Sequence, residues 1–88
     1  RRILARLQSG EADAGIRFDD LRGILVWLGF RETIRGSHHV FRHPGVPERI
    51  NLQEDGGFAK VYQVRQVRGV LLRSRLGADD PVSYTHLT

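Results

Sequence analysis

Apolar residues recur along this chain in two rhythms, and the change of rhythm marks the elements. Ile3, Leu4 and Leu7 form the stripe of a short helix that Gly10 stops. After a polar connection, Asp19 stands where an N-cap belongs. Leu21, Ile24, Leu25 and Leu28 then repeat at i, i+3, i+4 and i+7, which predicts a second helix with one buried face, ended by Gly29. From Phe30 the period becomes two. "FRETIR" alternates, with Phe30 and Ile34 expected inward and Arg31, Thr33 and Arg35 outward. Gly36-Ser37 makes a turn, "HHVFRH" returns as a strand, and Pro44-Gly45-Val46-Pro47 reads as a rigid connection. "ERINLQ" is then a third strand, with Ile50 and Leu52 inward and Arg49, Asn51 and Gln53 outward. "EDGGFA" reads as a flexible loop. Lys60 to Leu76 regains the helical period, with Val64, Val67, Val70 and Leu71 on its core side.

The order α-α-β-β-β-α describes one α+β domain: a three-stranded antiparallel meander with helices on one face, leaving the other face free for a ligand. A chain of 88 residues holds one modest core. Any active site on it must be simple.

The ends read differently from the middle. The chain opens Arg1-Arg2 and contains no methionine, so a truncated first helix is expected. After Leu76 the helical period is lost, and residues 77–88, which end "DDPVSYTHLT", resemble translated adapter read-through. They are expected to be a disordered tail outside the domain, residues 1–76.

Charge sharpens the choice of partner. The chain carries 14 basic and 10 acidic residues. Taking the tail's only charges, Asp79 and Asp80, from the chain's +4 leaves +6 on residues 1–76, a surplus that favours an anionic partner such as nucleic acid. The absence of cysteine removes disulfides, thiolate metal sites and a cysteine nucleophile, and fits a reducing, cytoplasmic setting. No apolar run approaches the roughly 18 residues that span a bilayer, so no membrane partner is expected.

Candidate chemistry concentrates in "GSHHVFRHP", where three of the four histidines fall within six residues. Strand parity separates them. If Phe41 points into the core, His38 stands on the open face with Val40 and Arg42, while His39 and His43 share the Phe41 side. Adjacent strand positions diverge and no carboxylate or thiol completes a ligand shell, which argues against a metal site. From spacing alone, His38 is open between a structural, a merely exposed and a catalytic imidazole.

"FDDLRGILVWLGF", "GSHHVFRHPG", "INLQ" and "KVYQVRQVRGVLL", in this order over residues 16–76, resemble the HicA toxins of bacterial toxin–antitoxin pairs. The resemblance implies a fold like that of a double-stranded-RNA-binding domain. It also implies a ribonuclease that cleaves mRNA without metal or other cofactor and is held inactive by a HicB-type antitoxin. The histidine directly after Gly-Ser is the catalytic residue of that family, here His38. The chemistry agrees with that role: RNA carries its own nucleophile, the 2′-hydroxyl, and an imidazole titrating near pH 6.5 can take or give the proton. Two departures stand out. Many relatives carry another histidine in the third strand, where this chain has Asn51 and Gln53, and a proline often begins the final helix, where this chain has Val61.

For RNA contact, Arg35, Ser37 and Arg42 surround His38 in sequence. On the last helix Arg65, Arg68 and Arg75 fall on one stripe, with Lys60 at the helix start. Arg31 and Arg49 extend the surface on the sheet side. An ordinary solvated helix face is the alternative for the stripe, and Trp27 and Tyr62 are expected to pack rather than stack on bases. Three functions follow: a ribonuclease toxin, an RNA-binding module of the same fold without cleavage, and a domain whose partner is an antitoxin docked over the open face and covering His38.

Overall fold

The computed structural model describes residues 2–10 and 13–76. The tail expected at 77–88 lies outside the described residues. The elements are α1 (Arg2–Ser9), α2 (Phe18–Trp27), β1 (Arg31–Arg35), β2 (His38–His43), β3 (Val46–Leu52), β4 (Glu54–Asp55), β5 (Phe58–Ala59) and α3 (Val61–Ser74). The architecture is α+β: three helices and a three-stranded antiparallel sheet in the order β1-β2-β3, with β4 and β5 paired apart from it. No helix among the described residues is long and apolar enough to cross a membrane.

The helices bury the faces their periods assign to them. Leu4 and Leu7 of α1, Phe18, Leu21, Ile24 and Leu25 of α2, and Val64, Val67, Val70 and Leu71 of α3 meet Phe41, Val46, Ile50 and Leu52 from one side of the sheet. Helix α1 lies against α2 and α3, and α3 runs along β3. Gly29, at φ +102°, turns the chain out of α2. Its N–H donates to Val26 O, and the N–H of Phe30 donates to Leu25 O at 3.0 Å, the paired closure of a Schellman motif.

Several expectations are corrected. Asp19 is not the N-cap: α2 begins at Phe18 behind Arg17, which makes no side-chain cap, and Asp19 and Asp20 instead lie in the first turn, where carboxylates favour the helix dipole. Ile34 has inward parity but is 55% exposed. Its strand β1 is an edge, and α3 packs along β3 at the opposite edge, so the core does not reach it. Between Phe30 and Ile34 the inward position is held by Glu32, which is half-buried. Trp27 and Tyr62, expected to pack, are 52% and 62% exposed, because both fall off the buried stripes of their helices.

Val46 and Pro47 belong to β3 and not to a connection; the link is the two-residue turn Pro44-Gly45. Between the pairs Phe41↔Ile50 and His43↔Val46 the register shifts, so Pro47, Glu48 and Arg49 oppose Arg42 alone. This irregularity on an edge strand accommodates a proline that has no N–H to give.

"EDGGFA" is not a loose loop. Gly56 and Gly57, both at positive φ, close a tight hairpin between β4 and β5. The N–H of Phe18 donates to Gly57 O at 3.0 Å and that of Ala59 to Ile16 O at 2.9 Å, tying the hairpin to the start of α2.

Candidate functional site

The alternation of β2 sends its histidines to opposite faces. Phe41 is fully buried, and His39 and His43 share its side. The His39 Nδ1 lies 2.7 Å from Glu32 Oε2, and its ring meets that of Phe18 edge-on at 4.9 Å. Glu32 also accepts a two-pronged bond from Arg22, Nε to Oε2 at 2.7 Å and Nη2 to Oε1 at 2.9 Å. That guanidinium, followed by His39, holds the Glu32 carboxyl below its usual range, and Glu32 in turn raises Arg22. His43 packs beside Phe30, with ring centres 5.1 Å apart. Its Nδ1 accepts the N–H of Gly45 at 2.9 Å, which fixes the Pro44-Gly45 turn. Both histidines are parts of the scaffold.

His38 stands on the other face. With Thr33, Arg35, Val40, Arg42, Arg49 and Asn51 it lines an open depression of about 580 Å³ drawn from all three strands. Register places Arg35 opposite His38 and Asn51 opposite Val40. His38 Nδ1 lies 3.3 Å from Asn51 Oδ1. Its Nε2 lies 3.4 Å from Gln53 Nε2, which also donates to Ser37 Oγ at 3.2 Å.

A second depression, of about 550 Å³, continues along the same sheet and shares Arg42 and Arg49 with the first; Arg31 lines it as well. Among the described residues, none of Arg31, Arg35, Arg42 and Arg49 forms an ion pair. Register sets Arg31 directly opposite Arg42, a like-charge pair that costs stability when no anion lies between. Glu48, the one acid among the described residues that lines either depression, pairs with Arg73 at 3.0 Å.

The expected RNA contacts therefore divide. Arg35 and Arg42 line the His38 depression, and Ser37 adjoins it through Gln53. Lys60, Arg65 and Arg68 do not line it. Arg68 has another occupation: its Nη2 donates to Asp13 Oδ2 at 3.0 Å, its Nη1 to Asp13 Oδ1, and Nη1 also reaches Leu7 O at 3.5 Å. It is a strut joining α3 to the α1–α2 connection, and it holds the Asp13 carboxyl below its usual range. Arg65 shares Asp13 at 3.3 Å. Lys60 is the N-cap residue of α3 and Arg75 its left-handed C-cap.

Asn51 and Gln53 are partners of His38 that residue type alone does not reveal. The outward parity assigned to them, with β2 paired to β3, was the signal that could have found them. Among the described residues no three His, Cys, Asp or Glu side chains converge on a metal-sized site.

No family model, curated protein or solved structure matches the chain.

Proposed function

We propose that this domain is a metal-independent endoribonuclease of the HicA kind, a toxin that cleaves mRNA and is silenced by a HicB-type antitoxin. In this reading its fold is akin to that of double-stranded-RNA-binding domains. The observation that carries the reading is the placement of His38: an imidazole on an open sheet face, in one depression with Arg35, Arg42 and Arg49, none of them neutralised by an acid among the described residues. Unpaired guanidiniums in a concave surface attract phosphate and stabilise the charge that grows on it during transfer.

The reaction needs no cofactor, because RNA brings its own nucleophile. The imidazole takes the 2′-hydroxyl proton, O2′ bonds to phosphorus, and the P–O5′ bond breaks with its electron pair on O5′, which takes a proton from water. The products are a 2′,3′-cyclic phosphate and a 5′-hydroxyl end, and the imidazolium returns its proton to solvent. An antitoxin laid over the open face would cover His38 and the arginines together, so inhibition is steric.

One observation favours a second reading, an RNA-binding module without cleavage. Among the described residues the open face offers no second imidazole, since His39 and His43 are turned to the other side. Incubating a defined RNA with the protein in EDTA, wild type beside His38→Ala, separates the two. Cleavage by wild type alone supports the nuclease; binding by both without cleavage supports the module and overturns the first proposal.

A further inference from the structure

The open face engages both ring nitrogens of His38, each with an atom that can play one part only. Asn51 Oδ1, 3.3 Å from Nδ1, accepts and cannot donate, so Nδ1 carries the hydrogen. Gln53 Nε2, 3.4 Å from the ring Nε2, donates and cannot accept, so the ring Nε2 presents its lone pair. Two independent amides thus select the same neutral tautomer.

The mounting of these amides is rigid. Asn51 sits within β3, opposite Val40. Gln53 follows the strand, and its backbone is gripped from the interior by Gln63, which is 2% exposed in the first turn of α3. With the Gln63 amide turned so that each end meets its complement, Oε1 accepts from Gln53 N–H at 3.0 Å and Nε2 donates to Gln53 O at 3.1 Å. The buried amide therefore closes the end of β3 against α3, a short way behind the site.

We propose that Asn51 is a positioning residue that holds His38 as the Nδ1–H tautomer and so makes Nε2 the proton-accepting atom, with Gln53 marking where a substrate hydroxyl donates. The catalytic consequence rests on the ribonuclease reading; the tautomer does not. When Nε2 takes a proton, Asn51 Oδ1 keeps its bond to Nδ1–H and that bond gains charge assistance, so the contact favours the state the reaction must pass through. A neutral acceptor does this without fixing the ring as imidazolium beforehand, as a carboxylate would. The charged groups that share the depression are Arg35 from β1, Arg42 from β2 and Arg49 from β3.

The test is the long-range ¹H–¹⁵N spectrum of the histidine side chains, with His38 assigned by its disappearance in His38→Ala. In wild type, neutral His38 is the Nδ1–H tautomer; in Asn51→Ala, whose altered side chain is exposed and leaves the core intact, the Nδ1–H share falls, and in Asn51→Ala with Gln53→Ala the preference is lost. Asn51→Asp, which keeps an acceptor, retains the Nδ1–H form. The proposal is overturned if wild-type His38 is the Nε2–H tautomer, or if Asn51→Ala leaves the Nδ1–H share unchanged both alone and in the Gln53→Ala background. In the cleavage assay Asn51→Ala lowers kcat about tenfold with KM nearly unchanged, the effect of a lost proton-transfer alignment. An equal loss in KM with kcat intact would assign Asn51 to RNA binding and overturn it as a positioning residue. If the spectra behave as stated and wild type cleaves no RNA, the positioning stands and the ribonuclease reading falls.

Discussion

On the helix-facing side of the sheet every polar side chain of β2 is accounted for: His39 is bonded to Glu32, Glu32 to Arg22, and His43 to the turn it braces. On the open side, one residue from His39 in sequence, His38 meets two neutral amides, and among the described residues the arginines around it have no acid. The chain has the means to neutralise cations, since Asp13 pairs Arg68 and Glu48 pairs Arg73. Asp13 does so on the helix side, and Glu48, at the rim of the second depression, is taken by Arg73 of α3 and not by Arg31, Arg42 or Arg49. Residue type therefore says little about role here; parity and partners decide it. Three histidines in one short stretch become a carboxylate-bonded scaffold residue, a turn brace and an imidazole standing open beside the arginines.

The contrast can be broken at graded strengths. The largest effect is expected from His38→Ala, which should lower RNA cleavage by about 10²- to 10⁴-fold, the worth of a positioned acid–base group, while leaving the thermal midpoint in place. Phe41→Ala attacks the other face. Emptying a fully buried aromatic site should cost about 3–5 kcal/mol of stability in a denaturant titration.

Glu32→Gln comes next. It weakens charge-assisted bonds to Arg22 and His39, for an expected loss of about 2 kcal/mol at neutral pH. Because the folded carboxyl is held below its usual 4.5, the unfolded chain binds that proton more readily. The stabilisation is therefore complete above pH 4.5 and is lost as pH falls through the lower folded value. Wild type and Glu32→Gln should accordingly converge in stability on acidification. Asp13, depressed by Arg68, adds to the same acid sensitivity below its usual 3.8.

The smallest effects concern the arginines. Arg42→Ala and Arg49→Ala should each reduce the slope of log K for single-stranded RNA against log salt by about 0.7. Arg65→Ala should change that slope less, since Arg65 lies outside the depression and faces Asp13.

Much of this organisation was legible in the residues. The i, i+3, i+4 pattern of Leu21, Ile24 and Leu25 and the period-two alternation around Phe41 lead to the helices, the meander and the outward placement of His38. Three things were hidden, for separate reasons. A helix cap is decided by backbone geometry within one residue, so Asp19 was a reasonable cap and proved to be a first-turn charge. Burial of an inward position depends on what stands above it, which is why Ile34 is exposed at the edge strand. Partners distant in sequence are invisible to periodicity: Arg68 looked like one of a stripe of free cations until the fold brought Asp13 to it across 55 residues. In "EDGGFA" the signal was present, because paired glycines between extended residues mark a tight hairpin.

The most direct test of the two-face account compares His38→Ala with His39→Ala, measuring both RNA cleavage in EDTA and the thermal midpoint. The account predicts a crossed result: His38→Ala loses cleavage and keeps its midpoint, while His39→Ala keeps cleavage at temperatures where it is folded and melts earlier. Cleavage that survives His38→Ala, or that is lost in a folded His39→Ala, would contradict it.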